Sequence, residues 1–116
     1  MQYLLLLHAN ESGWTDLTHA QQGERLAAYQ GYMEALKKSG ALLGSNRLKE
    51  GSTATTVRTT NGKTQVLDGP YADSKEQLGG YILIDVADLD TAISWAARCP
   101  GSHHGTVEVR PVWQMA

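Results

Sequence analysis

The 116-residue sequence predicts an α+β fold, a ferredoxin-like sandwich with an inserted β-hairpin. The first observation behind this prediction is the order of elements: strand, helix, strand, hairpin, strand, helix, strand. The second is Asn61-Gly62, a two-residue turn between two strand-like segments. The third is the number of helices, because two helices cover only one face of such a sheet. The length indicates one domain over residues 1–116 with a single core.

The first predicted element is the apolar strand Tyr3 to His8, whose side chains alternate between the two faces of the sheet. Both faces are expected to be covered, because nearly every residue of the strand is apolar. Loop 10–16 follows and carries Trp14, whose ring we expect to cap the core. The alternatives for Trp14 are the closure of a pocket and a contact between subunits.

A long helix is predicted next, with Thr18 as its cap and Ser39 as its last residue. Thr18 and Gln21 have the spacing of a capping box, and Gly40 suits the left-handed residue that follows a helix. Apolar residues at helical spacing form the predicted buried stripe: Leu26, Tyr29, Met33 and Leu36.

The middle of the chain is rich in residues that favour strands. Ala41 to Leu48 is the second predicted strand, and Ala54 to Thr60 and Lys63 to Leu67 are the predicted arms of the hairpin. The first arm is rich in threonine and poor in apolar residues, which suits an edge or half-exposed position.

The last third of the chain repeats the strand–helix–strand pattern, with a strand at Tyr81–Val86, a helix at Leu89–Arg98 and a strand at Thr106–Pro111. Asp88 is the predicted N-cap of this helix, and Pro100-Gly101 is expected to end it. Its inner stripe is predicted to consist of Leu89, Ala92, Ile93 and Ala96.

The polar segment from Asp68 to Gly80 is the part of the chain that is densest in functional groups. Asp68, Gly69 and Pro70 have the composition of a rigid structural turn, since Asp and Gly tolerate positive φ and Pro fixes its own φ. We expect the Asp68 side chain to bond backbone amides within this turn. Beyond the turn, the segment is either part of a binding site or a solvated connector.

Two motifs in this segment resemble a known family. Asp68 to Tyr71, followed by Ser74 to Gly80, resembles the signature of the DGPF-domain branch of the YCII-related proteins, with Tyr71 where Phe is usual. The resemblance continues in Tyr3–Leu6 and Gly105–Val112, and so it spans almost the whole chain. It implies a bacterial protein whose ferredoxin-like subunits pair into a dimeric α+β barrel.

The resemblance implies little about a reaction. Other YCII-related proteins carry a His on the first helix that is proposed to act with an Asp. Here the corresponding region, Ala27 to Tyr32, holds no His, so that pair is not transferred to this chain.

Composition argues against several classes of function. The net charge is −2 and no basic run is present, which argues against direct nucleic-acid binding. The longest apolar run, Tyr3 to Leu7, is far shorter than the ~20 residues of a membrane span and lacks the features of a signal peptide. The single Cys99 excludes an internal disulfide, fits a cytoplasmic protein and is expected to be a structural thiol.

Sequence motifs for a metal or a cofactor are missing as well. The four histidines show no spacing typical of a metal site, and neither a glycine-rich nucleotide motif nor a G-x-S-x-G elbow occurs. We therefore predict no metal and no cofactor, which leaves acid–base chemistry as the enzymatic option.

Candidate ligand-binding residues come from the charged loop and from the faces of the strands. Lys75 offers a cation for an anionic ligand, Ser74 a small donor and His8 an imidazole. Glu108 and Arg110 lie side by side on the last strand, where we expect only an indirect pair; a surface ladder or a salt bridge between subunits is the alternative to a site. The full set of candidates is His8, Tyr71, Ser74, Lys75, Glu76, Asp85, Glu108 and Arg110.

Two hypotheses for the function remain open. The first is a homodimer that binds a small organic molecule and performs acid–base chemistry on it in a pocket. The second is a non-catalytic regulatory or ligand-binding accessory, since the resemblance implies an association with extracytoplasmic-function sigma factors. A concave cavity lined by the candidate residues favours the first hypothesis, whereas a filled barrel favours the second.

Overall fold

Six strands, four α-helices and one short 3-10 helix (Gly51–Thr53) follow one another along residues 1–114, the part of the chain that a computed structural model describes. The strands are β1 (Gln2–Ala9), β2 (Leu42–Arg47), β3 (Thr55–Thr60), β4 (Lys63–Asp68), β5 (Gln77–Asp85) and β6 (Thr106–Pro111). The helices are α1 (Ser12–Thr15), α2 (His19–Ser39), α3 (Leu89–Arg98) and α4 (Gly101–His104).

Four of the strands form one antiparallel sheet in the order β2-β5-β1-β6. This is the order of a ferredoxin-like fold, in which the two central strands are the first strand and the one that precedes the last helix. Strands β3 and β4 form a separate two-stranded sheet. The predicted α+β fold with an inserted hairpin is therefore confirmed.

The core lies between the sheet and the helices. Tyr3 and Leu5 of β1 are paired with Ile84 and Ile82 of β5, and all four side chains are buried. Helices α2 and α3 contribute Leu36, Ala92 and Ala96 to the same cluster, and Cys99, just after α3, joins them. Burial of a side chain such as Leu5 contributes about 1.5–3 kcal/mol.

The opposite face of the sheet is covered by no helix in the described chain; we call it the open face. Strand alternation places Leu4, Leu6 and His8 of β1 there. The register pairs Leu6 with Glu108 and Leu4 with Arg110 of β6. Apolar and charged side chains are thus interleaved on a surface that this subunit leaves uncovered.

Helix α2 begins and ends as its sequence predicts. The Gln21 amide donates to the Thr18 hydroxyl at 3.1 Å, the Thr18 amide donates to the Gln21 side chain at 2.9 Å, and Gly40 has φ +81°. The predicted buried stripe is wrong at Leu26, which is 50% exposed, and Tyr32 is buried in addition. The reason is that the first half of α2 borders a cavity and does not press against the sheet.

Helix α3 also begins at its predicted cap, and its predicted buried stripe is also partly wrong. The Asp88 carboxylate caps it by accepting the Thr91 amide at 2.9 Å. Ala92 and Ala96 are buried as predicted, but Leu89 and Ile93 are about half exposed, so the predicted stripe is wrong there. Burial continues through Ala92, Ala96 and Cys99, which are spaced at i, i+4 and i+7, and Leu89 and Ile93 both lie to one side of that line.

Strand β5 begins earlier than the sequence predicts, at Gln77 and not at Tyr81. Its pairing with β1 shifts by one residue, because Leu7 faces Gly80 whereas His8 faces Leu78. A β-bulge of this kind bends the strand and redirects the neighbouring side chains. Gly80 also fits tightly, since a Cβ added there would lie 2.9 Å from the Asn46 carbonyl oxygen.

The hairpin of β3 and β4 projects from the sheet as an arm. Asn61 and Gly62 have φ +51° and +77°, which matches the turn that the sequence predicts. Val57 and Val66 face each other across the two strands and are 61% and 64% exposed. The radius of gyration, 16.2 Å, exceeds the ~13 Å of a globular chain of this length, as expected for a projecting arm.

Within residues 1–114, no helix has both the length and the apolar character to cross a membrane.

Candidate functional site

A concave region of about 400 Å³ lies between helix α2, the short helix α1 and the ends of β1, β2 and β5. We call it the helix-side cavity. Its wall includes an indole, a phenol, two apolar side chains and two guanidinium groups: Trp14, Tyr29, Leu26, Met33, Arg25 and Arg47. A mostly apolar wall with a few convergent polar groups is typical of small-molecule sites.

Trp14 forms one wall of the helix-side cavity. The Arg47 guanidinium carbon lies 4.6 Å from the centroid of the Trp14 ring, a cation–π contact. The Trp14 carbonyl accepts a hydrogen bond from the Gln22 side chain at 3.1 Å, which ties helix α1 to α2. Trp14 is therefore not the expected core cap; it lines a pocket, which was one of the two alternatives.

Tyr29 lies where the helix-side cavity meets the core. Its hydroxyl oxygen accepts a hydrogen bond from the Cys99 thiol at 3.9 Å. A Cβ added at Gly101 would lie 2.5 Å from that oxygen, so the glycine makes the close approach possible. Burial, followed by the nearby Cys99, holds the pKa of Tyr29 well above its ordinary value, so the phenol keeps its proton at neutral pH.

Cys99 is a buried thiol and fits the structural role predicted for it. Its side chain is fully buried, and burial raises the pKa of the thiol. A protonated, inaccessible thiol is a poor nucleophile. Cys99 therefore contributes core packing and a hydrogen bond to Tyr29, and no reactive group.

A second concave region, of about 700 Å³, lies between the hairpin, the loop of residues 69–76 and the start of β5. We call it the hairpin-side cavity. Its wall includes Thr56, Pro70, Tyr71, Ser74, Glu76 and Leu78. His8 borders both this cavity and the helix-side cavity.

The structure brings four of the predicted ligand-binding residues together around the hairpin-side cavity: His8, Tyr71, Ser74 and Glu76. The loop is held in place by its own polar groups. The Ser74 hydroxyl donates to the Glu76 carbonyl at 2.5 Å, and the Thr106 hydroxyl donates to the Glu76 carboxylate at 2.6 Å. The ring of Tyr71 is 80% exposed, so it lies at the mouth of the cavity.

Glu108 and Arg110 extend this group along the open face. Arg110 contacts the Glu108 carboxylate directly, which corrects the expectation of an indirect pair. The arginine side chain is long enough to span the ~7 Å between successive residues on one strand face. The other Glu108 oxygen lies 3.9 Å from His8 Nε2, a ring nitrogen that is enclosed and has no hydrogen-bond partner within residues 1–114.

Two predicted ligand-binding residues lie apart from the group. Asp85 is paired with Gln2, at the opposite end of β1 from His8, and it binds the Met1 ammonium at 2.9 Å. Six residues of strand separate the two ends by ~20 Å, so Asp85 cannot share a site with His8. Lys75 belongs to the exposed loop and lines neither cavity.

The turn at Asp68 is held by the backbone. Gly69 has φ +102°, where a side chain is disfavoured, as its place in the motif suggests. The Gly69 amide donates to the Ala54 carbonyl at 2.8 Å, and the Thr56 hydroxyl donates to the Gly69 carbonyl at 2.8 Å. Asp68 makes no side-chain hydrogen bond within residues 1–114, so the expected bond to the turn amides is not formed.

Sequence reasoning missed the helix-side cavity. The available signal was two arginines, Arg25 and Arg47, and one aromatic residue in a loop, Trp14. Nothing in the local sequence shows that these three side chains come together.

Among the described residues, no cluster of three or more His, Cys, Asp or Glu side chains is placed to hold a metal ion.

Comparison with known proteins agrees with this architecture. The family model of the YCII-related domain matches residues 1–116. An uncharacterised protein of Rhizobium meliloti (strain 1021) is 37% identical over 119 residues, which cover 97% of this chain and 92% of that protein.

A solved structure of similar fold is the 5-chloro-2-hydroxyhydroquinone dehydrochlorinase of Burkholderia phenoliruptrix AC1100, in complex with 2,5-dihydroxybenzoquinone. The TM-score is 0.57 at 15% identity, with 100% of this chain and 96% of that chain covered. At this level of identity the likeness concerns the fold, which is of the dimeric α+β barrel type.

Proposed function

Because this chain belongs to the family of YCII-related domains, we propose that it binds a small organic molecule in the helix-side cavity and acts on it by acid–base chemistry. The observation that carries the proposal is the cavity itself, about 400 Å³ of space whose wall combines aromatic and aliphatic side chains with several charged ones. Ligand pockets commonly measure ~300–1,000 Å³. The neighbour of similar fold is a small-molecule enzyme in complex with a quinone, which is compatible with the proposal.

His8 is the proposed proton-transfer group. It borders both cavities from the end of β1, and its ring lies on the open face with Nε2 3.9 Å from the Glu108 carboxylate, so the reacting part of the ligand would extend past the end of β1 to reach it. Imidazole is the commonest general acid or base in enzymes. Arg110 binds the same carboxylate and limits the directions in which Glu108 can turn.

The hairpin-side cavity is the proposed second part of the ligand site, with Tyr71, Ser74 and Glu76 at its wall. These residues reach His8 from the side opposite α2. A ligand larger than the helix-side cavity would extend past His8 towards them. Lys75, Asp85 and the sigma-factor association have no support in the geometry and form no part of the proposal.

Homodimerisation belongs to the same proposal. The open face carries Leu4 and Leu6 beside the Glu108–Arg110 pair, and the described chain has no helix to cover it. Burial of a sheet face that one subunit leaves uncovered is what a second copy accomplishes in a symmetric dimer.

Intrinsic fluorescence tests the binding proposal, because Trp14 lines the helix-side cavity whereas Trp113 is 85% exposed. The protein is titrated with a panel of small carboxylates, phenols, quinones and neutral aromatic amides. A saturable change that is retained in Trp113→Phe and lost in Trp14→Phe supports the proposal. If calorimetry detects no saturable binding of any panel member at millimolar concentration, the proposal is wrong.

Turnover is measured separately from binding. For each compound that binds, exchange of its carbon-bound protons with deuterated solvent is followed by NMR. We expect exchange with the wild type and a loss of at least tenfold in His8→Gln. Exchange at the same rate in both proteins would remove His8 from the mechanism while leaving the binding site in place.

A further inference from the structure

The charged groups of the helix-side cavity are unbalanced. Arg25, Arg47 and Lys49 line it together with two carboxylates, Glu11 and Glu50. The Glu11 carboxylate already accepts the Gly51 amide at 2.7 Å. Within residues 1–114, no carboxylate approaches the nitrogens of the three cations to within 4 Å. An unpaired guanidinium beside an apolar wall attracts an anion more strongly than it would in open solvent.

Arg47 is oriented by its aromatic neighbour. Stacking on Trp14 at 4.6 Å holds the guanidinium against the cavity wall. Its planar array of donors matches the two oxygens of a carboxylate or of a conjugated enolate. The same indole offers an aromatic face on which a flat ligand can stack.

Arg25 adds a second positive charge from helix α2. Among its neighbours is His104, another cavity residue, whose pKa is lowered by slight desolvation and then by the Arg25 charge. The two guanidinium groups come from α2 and from β2, so they approach the same space from different elements. The field inside the cavity therefore favours negative charge.

Tyr29 supplies a neutral donor at the inner end. Its hydroxyl oxygen accepts the Cys99 thiol proton, and its own proton has no acceptor within residues 1–114. A half-buried phenol that retains its proton at neutral pH can donate to an anionic oxygen. Gly101 fixes its position, because there is no side chain at residue 101 to displace the hydroxyl.

We infer that the ligand of the helix-side cavity is a planar organic anion, an aromatic or conjugated carboxylate or enolate. Its charged oxygens contact Arg47 and the Tyr29 hydroxyl, and its ring lies between Trp14 and the side chains of Leu26 and Met33. The inference rests on the proposed function, since it specifies the class of molecule that the same cavity takes.

Calorimetry with a matched pair of probes tests the charge. Benzoate and benzamide have nearly the same shape and differ in charge, and each is titrated into the full-length protein. We expect benzoate to bind at least tenfold more tightly than benzamide, and this ratio to shrink as salt is raised from 50 to 500 mM. Cyclohexanecarboxylate, which has the charge without the flat ring, is expected to bind more weakly than benzoate.

Variants assign the selectivity to residues. Arg47→Gln should weaken benzoate binding at least tenfold with little effect on benzamide, and Tyr29→Phe should weaken benzoate binding about threefold to tenfold. Arg58→Gln is the matched control, because Arg58 also lies over an aromatic ring, Tyr71, at 5.9 Å but outside this cavity. Circular dichroism and the midpoint of thermal unfolding verify that each variant is folded.

Each outcome decides one of the two claims. If benzamide binds as tightly as benzoate, or if Arg47→Gln leaves their ratio unchanged, the anion inference is wrong while the cavity remains a binding site. The inference also fails if only neutral members of the panel bind. If no compound of either kind binds, the proposed function itself is wrong.

Discussion

The hydroxyl of Tyr32 gives a prediction in which the cost of a substitution depends on pH. Tyr32 is 6% exposed, and its hydroxyl donates to the Trp95 carbonyl at 2.7 Å across the interface of α2 and α3. Tyr32→Phe removes one of two donors to that carbonyl, since the Cys99 amide also donates to it at 3.1 Å, and the lost hydrogen bond costs about 0.5–1.5 kcal/mol of unfolding free energy at pH 7. The ring itself is retained, so no cavity term is added.

The cost of Tyr32→Phe should become smaller as the solution becomes alkaline. Burial, with Cys99 as the next cause, raises the pKa of Tyr32 well above its ordinary value of 10.0. In the unfolded chain the phenol ionises near its ordinary pKa, whereas in the folded chain it does not. The wild type is therefore stabilised fully below pH 10 and loses stability above it, by about 1.4 kcal/mol from this group at pH 11.

Urea unfolding at intervals of half a pH unit from 7 to 11 measures both effects. The unfolding free energy of the wild type minus that of Tyr32→Phe should stay constant up to about pH 9.5. This difference should then fall by about 1.4 kcal/mol by pH 11. Tyr71→Phe is the matched control, since that ring is 80% exposed and its curve should parallel the wild type. A gap for Tyr32→Phe that stays constant up to pH 11 would refute the argument.

The remaining predictions concern assembly and backbone geometry. Light scattering at micromolar concentration should give twice the chain mass of 12.6 kDa, and a clean monomer would contradict the proposed dimer. Gly69→Val should cost about 1–3 kcal/mol because φ is +102°, and an unchanged thermal midpoint would argue against backbone strain. Gly80→Ala should cost a similar ~1–3 kcal/mol, because its Cβ would meet the Asn46 carbonyl oxygen at 2.9 Å. Gly23→Ala, in a helix with open space around it, should instead stabilise the protein by up to ~1 kcal/mol, and equal effects of the two alanines would disprove the steric explanation.

The fold was predictable where the signals are local. The capping box at Thr18, the cap at Asp88 and the Asn61-Gly62 turn each act over a few residues, and each is present. Burial within a helix was less predictable, because it depends on what lies opposite. Leu26 has the right spacing for the core, yet it faces a cavity, since α2 does not press against the sheet along its whole length.

The candidate site was only partly predictable for the same reason. His8 and the loop around Ser74 come together because the motif leads directly into the strand that pairs with β1. Asp85 belongs to that same strand, but antiparallel pairing carries it to the far end of β1. The period of a strand shows which face a residue lies on, and it leaves open how far along the partner strand the residue falls.

The self-contained pairing of the hairpin has a consequence for how this chain tolerates changes in length. Within residues 1–114, β3 and β4 pair with each other and with no other strand. Adding or removing two residues in each arm would preserve the alternation of faces and change the reach of the arm by about 7 Å. The register of the four-stranded sheet would be unaffected. The length of the hairpin can therefore change, by natural mutation or by design, while the packing of the core stays the same.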